Sequence, residues 1–188
     1  MTRLLVSAVL LSLAAPVAAD EAKPAKVTVA FRGMATEADA AAVRKAVEKI
    51  DGIKIAVADI VPGEKGQFGH YFSPPVVLEI ADRNKTDLGA VAKAVAAVKT
   101  AERKDVPPPS LVLVLFAPEL DVTSPRVKAL REALLDVAGQ EGQLSGGIGG
   151  VKEERRYWVR FDASGAAKLD DVLAAIKKAD IEMQLLKK

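Results

Sequence analysis

The chain has 188 residues, 50% hydrophobic and 28% charged, with 27 basic against 25 acidic side chains and a formal net charge of +2. That balance leaves no broad basic field for nucleic acid or an anionic membrane surface. No cysteine is present, which excludes disulfide staples and leaves any fold to its apolar packing.

Residues 1–19 read as a secretory signal peptide. Arg3 supplies the positive start, Leu4 to Leu13 the apolar stretch, and Val17-Ala18-Ala19 the small-residue site before Asp20. The apolar run is shorter than the roughly 18 residues that span a bilayer, and Pro16 breaks it near the proposed cut. The expectation is an exported mature protein, periplasmic or secreted, with no membrane span once the leader is removed. An uncleaved anchor is the alternative. No cysteine follows the cut, so a bacterial lipid anchor is excluded.

Asp20 to Lys26 is a polar tail with a proline. Val27, Val29 and Phe31 then alternate with polar or small residues, the period of a half-buried strand. Ala40, Val43, Val47 and Ile50 recur at helical spacing, and Asp51-Gly52 stops that helix. Ile53, Ile55 and Val57 alternate as a second strand. Pro62 to Pro75 is a loop rich in glycine and proline, and Val76, Leu78 and Ile80 line a third strand. Leu88, Val91, Val95 and Val98 make a second amphipathic helix.

Val106-Pro107-Pro108-Pro109 reads as a stiff extended linker. Beyond it the order returns. Leu111 to Phe116 is a strand, Val127, Leu130, Leu134 and Val137 line a helix, Gly142 to Gly150 forms a loop, and Tyr157 to Phe161 is a strand. Leu169, Val172, Leu173 and Ile176 line the last helix, and Ile181, Met183 and Leu185 close as a strand. Sliding the first part by 87 residues lays Val43, Val47 and Ile50 on Leu130, Leu134 and Val137, and Thr36 on Thr123. That register implies an internal duplication. The expected organisation is a domain over 26–105, a linker over 106–110 and a second domain over 111–188. The expected fold class is α+β, with two ferredoxin-like βαββαβ units in tandem, each an antiparallel sheet with two helices on one face. The first copy shows no clear fourth strand between Thr100 and Pro107 unless Arg103 to Val106 pairs briefly.

The segment GMATEADAAAVRKAVEKIDGI, Gly33 to Ile53, resembles the loop and first helix of the heavy-metal-associated domain, whose loop runs Gly-Met-x-Cys-x-x-Cys. VRFDASGAAKLDDVLAAIKKADIEM, Val159 to Met183, is similar to that domain's C-terminal half. Gly33 and Met34 match the pattern, whereas the two cysteine positions hold Thr36 and Asp39. The resemblance implies the ferredoxin-like fold and soft-metal binding through two thiolates, and those thiolates are missing. Thr36-x-x-Asp39 reads instead as a capping box, its hydroxyl meeting a free backbone amide and its carboxylate suiting the helix dipole. In the second copy, Thr123-Ser124-Pro125-Arg126 reads as a cap with proline in the first turn, Arg126 standing at the second cysteine position. Loss of paired thiols fits export, because an oxidising compartment would close them into a disulfide.

The candidates for residual metal binding are Met34, whose counterpart in the resembled family packs beneath the metal loop, and His70, alone in a loop beside Tyr71 and Phe72. No cofactor is expected. No catalytic constellation is legible: Glu153 and Glu154 are adjacent on a strand and point to opposite faces, and Ser145 to Gly150 lacks the Lys-Ser/Thr of a phosphate-binding loop.

On the strand Tyr157 to Phe161, alternation places Arg156, Trp158 and Arg160 together on the face opposite Tyr157, Val159 and Phe161. Tryptophan and arginine are enriched at binding hot spots, so these three are the candidate partner-binding residues. Packing of Trp158 on its own arginines or between the copies is the competing reading. RNA stacking is disfavoured by the near-zero charge and the missing motif glycines. Leu111 to Phe116 is apolar on both faces, so the second copy's open face should be partly covered, by the first copy or a second chain. The expected protein is non-enzymatic, binding a protein partner or itself through sheet faces. The alternative is residual metal ion binding or metal handling in the cell envelope.

Overall fold

The computed structural model describes residues 24–65, 71–82, 86–100, 106–117, 120, 124–137, 141–145 (backbone only), 156–161 and 168–185. The expected leader at 1–19, His70, Thr123 and the first copy's possible fourth strand at 103–105 lie outside them. Eight strands and four α-helices are present among the described residues, in an α+β arrangement consistent with ferredoxin-like folds. The first half runs β1 (Ala25–Arg32), α1 (Glu37–Val47), β2 (Ile53–Ile55), β3 (Glu64–Lys65), β4 (Tyr71–Phe72), β5 (Val76–Ile80) and α2 (Leu88–Ala96). The second runs β6 (Ser110–Phe116), α3 (Pro125–Leu135), β7 (Glu141–Ser145), β8 (Arg156–Arg160) and α4 (Leu169–Lys178).

The main sheet is antiparallel throughout, in the order β2-β5-β1-β6-β8-β7. Read by role, that order is mirrored about its centre: second, third and first strands, then first, third and second. The halves meet where β1 pairs with β6, from Thr28 opposite Val114 to Arg32 opposite Ser110. Ser110, placed in the expected linker, already belongs to β6.

Alternation decides the layers. Val27, Val29 and Phe31, Val76, Leu78 and Ile80, Leu111, Leu113 and Leu115, and Tyr157, Val159 and Phe161 share one buried cluster with residues from all four helices. Helices therefore cover one sheet face, and the core runs through both halves. The helical correspondence holds in burial: Ala40, Val43 and Val47 of α1 match Val127, Leu130 and Leu134 of α3, all buried. Leu88, Val91 and Val95 of α2 match Leu169, Val172 and Ile176 of α4 in the same way.

Further expectations are corrected, beginning with Ala25 and Lys26, which belong to β1 and not to the tail. Val57 does not extend β2; it opens a short 3-10 turn over Val57–Asp59. The Pro62 to Pro75 segment is not all loop, since β3 pairs with β4 and β4 continues along β1 opposite Arg32. Pro74 and Pro75 cannot donate to the ladder, and at that break Ser73 serves instead: its hydroxyl accepts from Phe31 N–H at 2.9 Å. Gly142 to Ser145 is strand, because the backbone of β7 pairs with β8 from Glu141 opposite Arg160 to Ser145 opposite Arg156. Ile181 to Leu185 forms no ladder of its own. Gln184 makes an isolated bridge to Phe116, and Leu185 C=O accepts from Thr28 N–H at 3.0 Å. This C-terminal strap touches both central strands where they part.

Candidate interaction surface

The loop between β1 and α1 is set by Gly33, whose φ of +83° is the left-handed region that favours glycine. A Cβ there would meet the Pro107 carbonyl oxygen at 2.5 Å, so the segment before β6 runs hard against this loop. Met34 follows, fully buried in the shared core. Thr36 is the N-cap of α1, its hydroxyl accepting from Asp39 N–H at 3.4 Å. Asp39 Oδ2 accepts from Thr36 N–H at 2.9 Å and from Ala35 N–H at 3.0 Å.

The capping box is therefore closed in both directions. The oxygens standing where the resembled family has sulfur already serve backbone amides, and Asp39 is 3% exposed. Hard, committed oxygen donors do not suit a soft monovalent ion. Met34 packs beneath the loop as its counterpart in the resembled family does, whereas the capping pair does not fit the two-thiolate metal centre that the resemblance implies. In the second half Ser124 caps α3, with Pro125 in the first turn. Arg126 reaches across to Asp180, donating to its carbonyl at 3.1 Å and pairing with its carboxylate.

Arg156, Trp158 and Arg160 stand together on the helix-free face of β8, half-buried, opposite Phe116, Val114 and Val112 of β6. Ala30, Val114 and Phe116 form a second small buried cluster on this face, and Trp158 packs against it. Val112 is buried beside them. The Phe72 ring of β4 meets the Trp158 ring edge-on at 5.5 Å. Arg32 lies over Phe72 at 5.9 Å, and Arg156 over Phe116 at 5.7 Å, both within cation–π range. Trp158 thus joins the halves. Toward the β2 edge the same face becomes charged: Glu79 pairs with Lys26 at 3.4 Å and with Lys54 at 4.0 Å, and Val77 is exposed.

Sequence reasoning missed Phe72 and Arg32 as parts of this face, because their placement depends on the β4 pairing hidden inside an apparent loop. It also missed Asp87. This residue caps α2 by accepting from Leu88 N–H, and the same Oδ1 accepts from Leu169 N–H of α4 at 2.8 Å. The N-cap of α4, Lys168, has no side-chain cap of its own. One carboxylate therefore serves two helix starts, one from each half. Burial raises its pKa above the ordinary 3.8; the two backbone N–H groups and Lys168 oppose that shift, and Asp170 adds to it. The Asp–Leu start of α2 was a legible cap, but its second client lies in the other half.

Among the described residues no group of three or more His, Cys, Asp or Glu could hold a metal ion, and no helix is long and apolar enough to cross a membrane. No family model matches the chain, and no curated protein matches it. Among solved structures it is similar to the ligand-free regulatory subunit of aspartate kinase from Thermus thermophilus. That likeness has 17% identity and a TM-score of 0.28, over 83% of this chain and 96% of that one. At that TM-score it carries no argument.

Proposed function

We propose that the chain is an exported, non-catalytic binding or scaffold protein that engages a protein partner through its helix-free sheet face. In this reading it comprises two ferredoxin-like units in tandem that resemble heavy-metal-associated domains stripped of their thiolates. The observation that carries the binding reading is the constellation on that face. Apolar Ala30, Val114 and Phe116 lie beside half-buried Trp158, and guanidinium groups rest over the Phe72 and Phe116 rings. Aromatic and arginine side chains held rigidly next to a desolvated apolar strip are what binding hot spots are made of. The mirrored strand order and the matching buried helix positions support the tandem reading. The closed capping box supports the loss of metal chemistry. Among the described residues, Met34 lies inside the core, which does not support a surface metal ligand there.

A photo-crosslinking side chain at position 158, activated in intact cells, tests the reading. A discrete protein adduct weakened by Arg156→Ala is the expected result; a folded protein that forms no adduct would contradict it. Export is tested separately by the mass of the envelope-fraction protein, which should begin at Asp20.

A further inference from the structure

The C-terminal strap is the least firmly built part of the central seam. Three backbone hydrogen bonds hold its described part: Phe116 N–H to Gln184 C=O at 2.8 Å, Gln184 N–H to Phe116 C=O at 2.9 Å, and Thr28 N–H to Leu185 C=O at 3.0 Å. Ile181, Met183 and Leu185 pack against the core but stay partly exposed. An open groove of about 500 Å³, lined among others by Leu173, Ile176, Ile181 and Met183, separates the strap from a close fit to α4.

The turn that delivers the strap is strained. Asp180 has a φ of +53°, the one positive φ at a non-glycine among the described residues. Aspartate visits this region more readily than most residues, at a cost. Such conformations persist where surrounding contacts over-determine them. Here Asp180 stands just past the Ala179 C-cap of α4 and donates its N–H to Lys177 C=O at 3.0 Å, and Arg126 binds both its carbonyl and its carboxylate on an exposed surface.

We propose that the strap is an exchangeable strand: two copies of the chain trade Ile181–Leu185 across the β1–β6 seam and form a swapped dimer. The occupant is a second copy because the slot already fits this segment in backbone register and side chains. Each strap would remake the three seam bonds in the other copy, so what exchange puts at risk is confined to the turn: the Arg126 contacts and the Asp180 N–H bond to Lys177 C=O. It gains release of Asp180 from its left-handed conformation as the turn opens. Strained hinge turns of this kind favour exchange. The proposal stands independently of the sheet-face reading, since it concerns the seam's backbone and not the Trp158 side chain.

The absence of native cysteine makes the test clean. Phe116 and Gln184 face each other in a hydrogen-bonded antiparallel pair, where Cα atoms stand about 5.5 Å apart, within disulfide reach. The mature chain carrying Phe116→Cys and Gln184→Cys is concentrated, oxidised and run on a non-reducing gel. A covalent dimer that mixes differently tagged copies is expected; crosslinked monomer at every concentration would overturn the proposal. Should that variant fail to fold, sedimentation of wild type and Asp180→Gly decides. In an Arg126→Ala background, where the ion pair is absent from both chains, Asp180→Gly should lower the dimer fraction at least roughly fivefold, by removing the strain from the closed form. A wild type that stays monomeric, or an Arg126→Ala dimer indifferent to Asp180→Gly, would overturn it as well.

Discussion

At the scale of single residues, the two positions where the resembled family grips metal are occupied by a helix cap. Thr36→Ala removes the hydroxyl that accepts from Asp39 N–H and should cost about 1 kcal/mol in chemical denaturation; no measurable loss would contradict the cap. Asp87 allows a sharper test, because its carboxylate serves Leu88 and Leu169 together. Asp87→Ala should cost about 2 kcal/mol, one cap's worth at each helix. Asp87→Asn keeps the acceptor oxygen and removes the charge. The folded-state pKa of Asp87 is raised above 3.8, so the folded state holds that proton more tightly than the unfolded one. Its contribution is complete below 3.8 and is lost as pH rises through the raised value. Asp87→Asn should therefore match wild type in acid and equal or exceed it at neutral pH, measured by urea unfolding at both. Lower stability at neutral pH alone would contradict this sign.

At the scale of elements, hydrophobic period located all four helices and the inward faces of β1, β5, β6 and β8, because those faces share one core. It failed where backbone pairing supplies the order. β7 reads Glu-Gly-Gln-Leu-Ser, with no apolar alternation, and is a strand because β8 offers it a register partner at each position. β4 is two residues long and hid between a glycine-rich segment and a proline pair for the same reason. The candidate face was half legible. Alternation on β8 brought Arg156, Trp158 and Arg160 together correctly, while Phe72, which meets Trp158 across the halves, could not be placed without the topology. Because Trp158 packs on that ring and on the Val114 cluster, Trp158→Ala should destabilise by about 2 kcal/mol, less than the 3–5 of a fully buried ring. A shift in thermal midpoint near zero would return the residue to a purely external role.

At the scale of the whole molecule, the sequence divided the chain at its prolines, and the structure joins the halves beside them. β6 is apolar on both faces because it lies at the middle of the sheet, with the helix-covered core on one side and Ala30 and Trp158 packed with its own Val114 and Phe116 on the other. One continuous core predicts one cooperative transition for the intact chain in scanning calorimetry, with calorimetric and van't Hoff enthalpies equal. Two resolved transitions would mean that the halves unfold apart. Partner chemistry was not legible at this scale, because the loop that resembles a metal site holds capping oxygens at Thr36 and Asp39 and no cysteine.

The proposal that a cap stands where the resembled family grips metal is tested most directly by titrating monovalent copper, under reducing conditions, into wild type and into the Thr36→Cys/Asp39→Cys double variant. Wild type should take up no ion at this loop, whereas the folded double variant should bind with a Kd below about 1 μM, more than 8 kcal/mol of affinity. Tight binding by wild type that Thr36→Ala abolishes, or a folded double variant that remains silent, would contradict the account.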